Sequence, residues 1–208
     1  MRILLPLLLA PLLAAQDRPD PQLVRIAAAY AAKVTASAVF VSERSVDSVL
    51  AEELAPTRPL EALIRPLLRI DVDRDAGTVT CTVGPAKAVA VHRPGLGCVL
   101  VPDGVAIAAV QQRSGRLPAV QPEPNADAPL GSARWSLREP GPAHGIDRDA
   151  VQAAIDAAFV EADPKRPVLT RAVVVVHDGW LVAERYADGY RADMRLPGWS
   201  MTKTLTHA

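Results

Sequence analysis

Between residues 111 and 145, six prolines (Pro118, Pro122, Pro124, Pro129, Pro140 and Pro142) are mixed with Asn, Asp, Gly and Ser, with little apolar periodicity. Proline fixes φ and offers no backbone donor, so this stretch can join neither a helix interior nor the middle of a sheet. It must split whatever folds here into two units. The reading is an N-terminal α+β module over 16–110, an extended connector over 111–145 pinned by Trp135 and Leu137, and a second unit over 146–208.

Ahead of the first unit, Met1 and Arg2 precede an almost unbroken apolar run from Ile3 to Leu13, then Ala14 and Ala15. A charged start, a short apolar run and a small-residue exit form the pattern of a secretory signal peptide, here 1–15. The run is too short to span a bilayer core of about 30 Å as a helix. The expectation is an exported protein, periplasmic or extracellular, with no stable membrane anchor. Basic and acidic residues balance at 23 each without a dense basic cluster, which argues against a nucleic-acid partner. Two cysteines, Cys81 and Cys98, leave open either one disulfide or two free thiols. The histidines (His92, His144, His177 and His207) are too dispersed for a metal site, and Asp71, Asp73 and Asp75 lack the glycine and terminal glutamate of a calcium loop. Neither a metal nor a cofactor is expected.

Asp20 and Pro21 read as an N-cap and first helical residue, followed by apolar residues at helical spacing to about Lys33. Ala38 to Val41 is a short apolar run. Ser45 caps a second helix carrying Val46, Val49, Leu50 and Leu54, and prolines 56, 59 and 66 break the stretch beyond it. From Ile70 the period changes to that of strands: 70–72, 78–83, 88–91 and 98–101. In the second unit, Ile146, Asp147 and Val151 match a hydrophobic staple around an N-cap, and Pro164 stops the helix. Ala172 to His177 and Trp180 to Tyr186 flank Asp178-Gly179, a two-residue hairpin turn. The fold class is α+β.

Ser200-Met201-Thr202-Lys203 is the constellation with a mechanism attached. Residues three apart on a helix share a face, so a lysine there reaches a serine oxygen. A neutral lysine could take the hydroxyl proton and so create a nucleophile. Only four lysines are present, and composition alone yields about 0.15 such pairs in a chain like this. The bland alternative is an N-capping serine followed by a solvated lysine. His177 beside Asp178 sits at a turn, where polar residues are ordinary. His207 reads as exposed, and Glu52 and Glu53 as solvated charges.

The segment from Arg171 through His207 resembles the opening of the catalytic domain in serine β-lactamase-like hydrolases. Val173 to Tyr186 looks like that family's first hairpin, and Gly198-Trp199-Ser200-Met201-Thr202-Lys203-Thr204 like its nucleophile turn. Within the family the resemblance is to esterases and amide hydrolases similar to 6-aminohexanoate-dimer hydrolase. Residues 70–101 more loosely resemble the region that precedes this domain in some bacterial members. The resemblance implies an antiparallel sheet with helices on both sides. It also implies hydrolysis of a small-molecule ester, amide or β-lactam through a Ser200 acyl-enzyme. Lys203 would accept the serine proton, and the Ser200 backbone N–H would be one of two oxyanion donors.

Two further motifs of that family, one with a tyrosine and one of the Lys/His-Thr/Ser-Gly kind, do not occur between Lys203 and Ala208. Tyr186 and Tyr190 precede the serine and are expected to pack rather than replace the tyrosine. The 208-residue chain alone is therefore expected to be nearly inactive. The rival expectation is a noncatalytic exported binding protein or pseudoenzyme.

Overall fold

The computed structural model describes residues 20–56, 59–112, 145–177 and 180–207. The expected signal peptide, most of the expected connector with Trp135 and Leu137, and the expected Asp178-Gly179 turn lie outside the described residues.

Helix α1 (Pro21–Phe40) begins where the sequence indicates, with the Asp20 side chain accepting from the Gln22 N–H at 2.8 Å. It runs seven residues beyond Lys33 and absorbs most of the Ala38–Val41 run. Packing overrides local preference here, because Thr35, Ala36, Ala38 and Val39 are all buried. α1 is long and apolar enough to cross a membrane by length and composition, yet its alanine face lies against a sheet. Serine caps α2 (Val46–Ala51), with Ser45 Oγ accepting from Ser48 N–H at 3.1 Å. Pro59, expected only as a breaker, instead opens α3 (Pro59–Ile64), followed by a 3₁₀ turn over Arg65–Leu67.

Four consecutive strands, β1 (Leu68–Asp73), β2 (Thr78–Val83), β3 (Ala86–Arg93) and β4 (Gly97–Leu100), form an antiparallel meander in the order β1-β2-β3-β4. Alternation sends Val79, Cys81 and Val83 into the core against Ala27, Ala28, Ala31 and Ala32 of α1. Alanines let the helix axis approach closely, and Leu54 and Ile64 are buried in the same core. Cys81 stands opposite Ala88 and Cys98 opposite His92, on strands that flank β3 from opposite sides. Two strand spacings amount to about 9.6 Å, beyond disulfide reach. Both cysteines are free, which closes the disulfide alternative. α4 (Ile107–Gln112) ends the module.

The second unit opens with α5 (Arg148–Ala158), capped by Asp147 Oδ1 on the Ala150 N–H at 3.0 Å. It ends before Pro164, which therefore does not terminate it. The Glu161 carboxylate instead ties down the following loop by accepting from the Val168 and Leu169 amides, both at 2.7 Å. Strands β5 (Ala172–His177) and β6 (Trp180–Tyr186) form a separate two-stranded sheet with a register shift at Val175/Val176. Arg185 joins it to α5 through Asp156 at 2.6 Å, with its guanidinium 4.4 Å from the Phe159 ring centroid. Val174 and Val176 remain half-exposed. The chain is thus α+β, as the sequence indicates, with a four-stranded and a two-stranded antiparallel sheet.

Candidate active site around Ser200 and Lys203

Leaving β6, the chain runs from Ala187 to Gly198 without helix or strand, then enters a 3₁₀ turn over Trp199–Met201 that continues into α6 (Thr202–His207). Ser200 lies in the 3₁₀ turn and Lys203 in the first turn of α6. The three-residue spacing does what it implies: Lys203 Nζ is 3.1 Å from Ser200 Oγ, and both side chains are exposed.

The turn is held under strain. Trp199 has φ +43°, in the left-handed region that costs a non-glycine residue about 1–3 kcal/mol. Thr202 restrains it: its Oγ1 donates to the Trp199 carbonyl at 2.7 Å, and the Met201 N–H donates to the Gly198 carbonyl at 2.9 Å. A Cβ at residue 198 would stand 3.3 Å from Thr202 Cγ2, so glycine lets the threonine close over the turn. Trp199 and Met201, the chain neighbours of the serine, are both largely exposed apolar side chains.

A second lysine–serine hydrogen bond shows what the distance alone is worth. Lys33 Nζ donates to Ser37 Oγ at 2.9 Å on the face of α1, half-buried beside Cys98. Its order, lysine before serine at four residues, is not the Ser-x-x-Lys spacing and carries no signal in the sequence. Burial pushes the Cys98 thiol up, only partly offset by the Lys33 charge and the Ser37 hydrogen bond. The Ser37 site lies in regular helix, whereas Ser200 is exposed and follows a strained residue.

The other candidates separate. His177 is exposed and pairs in register with Trp180, while Asp178 lies outside the described residues. Asp71, Asp73 and Asp75 are exposed, and Asp73 Oδ1 accepts from the Ala76 N–H at 2.8 Å in an ordinary turn. Among the described residues no group of three His, Cys, Asp or Glu side chains could hold a metal. Both tyrosines have their hydroxyls engaged: Tyr186 donates to Glu184 at 2.7 Å and Tyr190 to Glu52 at 2.6 Å. Burial first, then the carboxylate partner, pushes each phenol up to about 12.

Glu52 and Glu53 depart from the sequence expectation of solvated charges. Glu53 is 7% exposed, paired to Arg44 at 2.6 Å and also to Arg171, and Glu52 pairs to Arg44 at 3.1 Å and to Arg171 at 2.8 Å. No local signal could reveal partners more than a hundred residues away. A groove of about 670 Å³ is lined instead by Arg25, Ile26, Lys87, Leu100 and Asp103 among others, none of them in the serine segment.

No family model, curated protein or solved structure matches this chain.

Proposed function

We propose that the protein is an exported serine hydrolase acting on an ester, amide or β-lactam, with Ser200 as nucleophile and Lys203 as its base. The observation that carries this reading is the 3.1 Å Lys203–Ser200 contact on an exposed turn immediately after the strained Trp199. Strain of that kind persists where surrounding contacts over-determine it, and it clusters at active sites. The β-lactamase-type fold belongs to the same proposal and rests on the resemblance of residues 171–207.

In this reading Ser200 Oγ attacks the acyl carbon as its proton passes to a neutral Lys203 Nζ. The tetrahedral oxyanion is held by backbone donors, among them the Ser200 N–H. Collapse breaks the acyl C–O or C–N bond, and the alcohol or amine takes the proton from Lys203, departing from an ester or open amide and staying tethered in an opened β-lactam. Water then attacks the ester, Lys203 takes a proton from it, and Ser200 is regenerated as the acid departs. The exposed Trp199 and Met201 favour an apolar group next to the scissile bond.

One observation favours the noncatalytic rival. Ser200 and Lys203 are both in solvent, and a lysine becomes a useful base only where burial or positive charge favours its neutral form. A fluorophosphonate probe applied to the protein isolated from its own cells decides between the two. Adduct on Ser200, lost in Ser200→Ala, supports the hydrolase; a folded protein that takes up no probe leaves the binding-protein reading.

A further inference from the structure

We infer that the N-terminal module braces the serine turn, and that Arg44, Glu52, Glu53, Arg171 and Tyr190 are its positioning residues. This rests on the reading of Ser200 as nucleophile. Arg44 is buried on the module, where its guanidinium holds Glu53 Oε1 at 2.6 Å and Glu52 Oε2 at 3.1 Å. From the other unit Arg171, just before β5, reaches the same carboxylates: its Nε donates to Glu52 Oε2 at 3.0 Å and its Nη2 to Glu53 Oε1. Tyr190, four residues beyond β6, donates its hydroxyl to Glu52 Oε2 at 2.6 Å. Its ring centroid lies 5.3 Å from the Arg44 guanidinium and 5.7 Å from that of Arg171, both within cation–π range.

Two more ties lie along the loop toward the serine. Arg191 pairs with Glu43 at 3.1 Å, and Ser42 Oγ donates to the Arg195 carbonyl, five residues before Ser200. Every module residue in these ties falls within 42–53, in the segments that directly follow α1 and α2.

Adhesion alone would be served better by apolar contact. Charges are costly to take out of water, and a network of them specifies one geometry more than it adds stability. Glu53 Oε2 carries that cost openly, being buried with no hydrogen-bond partner among the described residues. The segment from Ala187 to Gly198 has neither helix nor strand to direct it, so its course to Ser200 depends on these ties. A small displacement of a nucleophile can lower its rate by about a hundredfold.

The test uses the protein from its own cells with Tyr190→Phe and Glu52→Gln, the first removing one hydroxyl and leaving the fold intact. Arg25→Ala, which cuts an exposed ion pair outside the network, is the control. Two readouts are taken: hydrogen exchange across 187–203, and the fluorophosphonate rate at Ser200 resolved into its saturating rate and half-saturating concentration. The expected result is faster exchange across 187–203 in both network variants but not in Arg25→Ala. A tenfold to hundredfold fall in the saturating rate, with half-saturation little changed, should accompany it. Unchanged exchange in both variants overturns the brace, whatever Ser200 does. Faster exchange with an unchanged labelling rate overturns its positioning role. A wild-type protein that takes up no probe overturns the nucleophile reading and, with it, the purpose assigned to the brace.

Discussion

Thr202 holds Trp199 in a left-handed conformation, its hydroxyl donating to the tryptophan carbonyl at 2.7 Å while its methyl closes over Gly198. The residue before the candidate nucleophile is thus restrained by the residue two positions after it. Thr202→Val keeps the shape and removes the donor, and a single hydrogen bond contributes about 0.5–1.5 kcal/mol. The unfolding free energy from urea titration should fall by no more than that, while probe uptake at Ser200 slows. Unchanged uptake would show that the hydroxyl does not govern the turn.

Arg44 stands at 3% side-chain exposure between two carboxylates. Removing one member of a buried ionic group strands the others, at about 3–5 kcal/mol. Arg44→Ala should therefore be among the most damaging substitutions in the module, well beyond Arg25→Ala at the exposed Asp103 pair, where the effect should be about 0–1 kcal/mol. Chemical unfolding of the two variants side by side gives the comparison.

Tyr186 and Tyr190 titrate near 12 when folded against 10 for an unperturbed phenol. A raised folded value means that the folded state holds the proton more tightly. Their contribution is whole below pH 10 and is lost as pH rises toward about 12. Melting temperature followed from pH 9 to about pH 12 should decline over that window, less steeply in Tyr190→Phe. An identical slope in the variant would remove Tyr190 from the account.

Cys81 is fully buried and burial pushes its thiol up to about 12, so it holds almost no thiolate at neutral pH. Iodoacetamide should leave Cys81 untouched in the native protein and modify it only after unfolding, as peptide mass will show. The mass of the intact chain should not change on reduction.

The α1–sheet interface has no room for larger residues at its alanines. Ala31→Leu puts three extra carbons where Ala31 is fully buried, and overpacking of this kind costs about 1–3 kcal/mol. Leu54→Ala, in the same core, should cost about 2–5 kcal/mol. A denaturant titration in which neither variant shifts the midpoint would mean that the helix does not lie where it is described.

Features resting on local chemistry were legible in the sequence. Asp20 and Pro21 announce α1, Ser45 and Asp147 announce their helices, alternation around residues 78–83 announces β2, and the Ser200–Lys203 spacing announces a contact. Whatever stayed hidden depends on distant partners or on an ambiguous residue. The end of α1 at Phe40 is set by a sheet formed later in the chain, against the β preference of Thr35 and Val39. Pro59 is ambiguous because proline serves a first helical turn as readily as it breaks an interior one. Glu52 and Glu53 resemble any exposed acidic pair until Arg171 reaches them from 118 or more residues away.

That separation bears on the order in which the chain gains its shape. The β1–β4 meander closes through short turns, so its contacts form early and at little entropic cost. The Tyr190–Glu52 tie closes a loop of 138 residues and can form only on a module already built. During synthesis from the N-terminus, the module is complete before the serine emerges. Ser200 gains its geometry late, so a chain interrupted on the way is folded where it began and lacks the Lys203–Ser200 contact where it stopped. Pulsed hydrogen exchange during refolding, showing protection in 68–100 before 187–203, is the expected signature of that order.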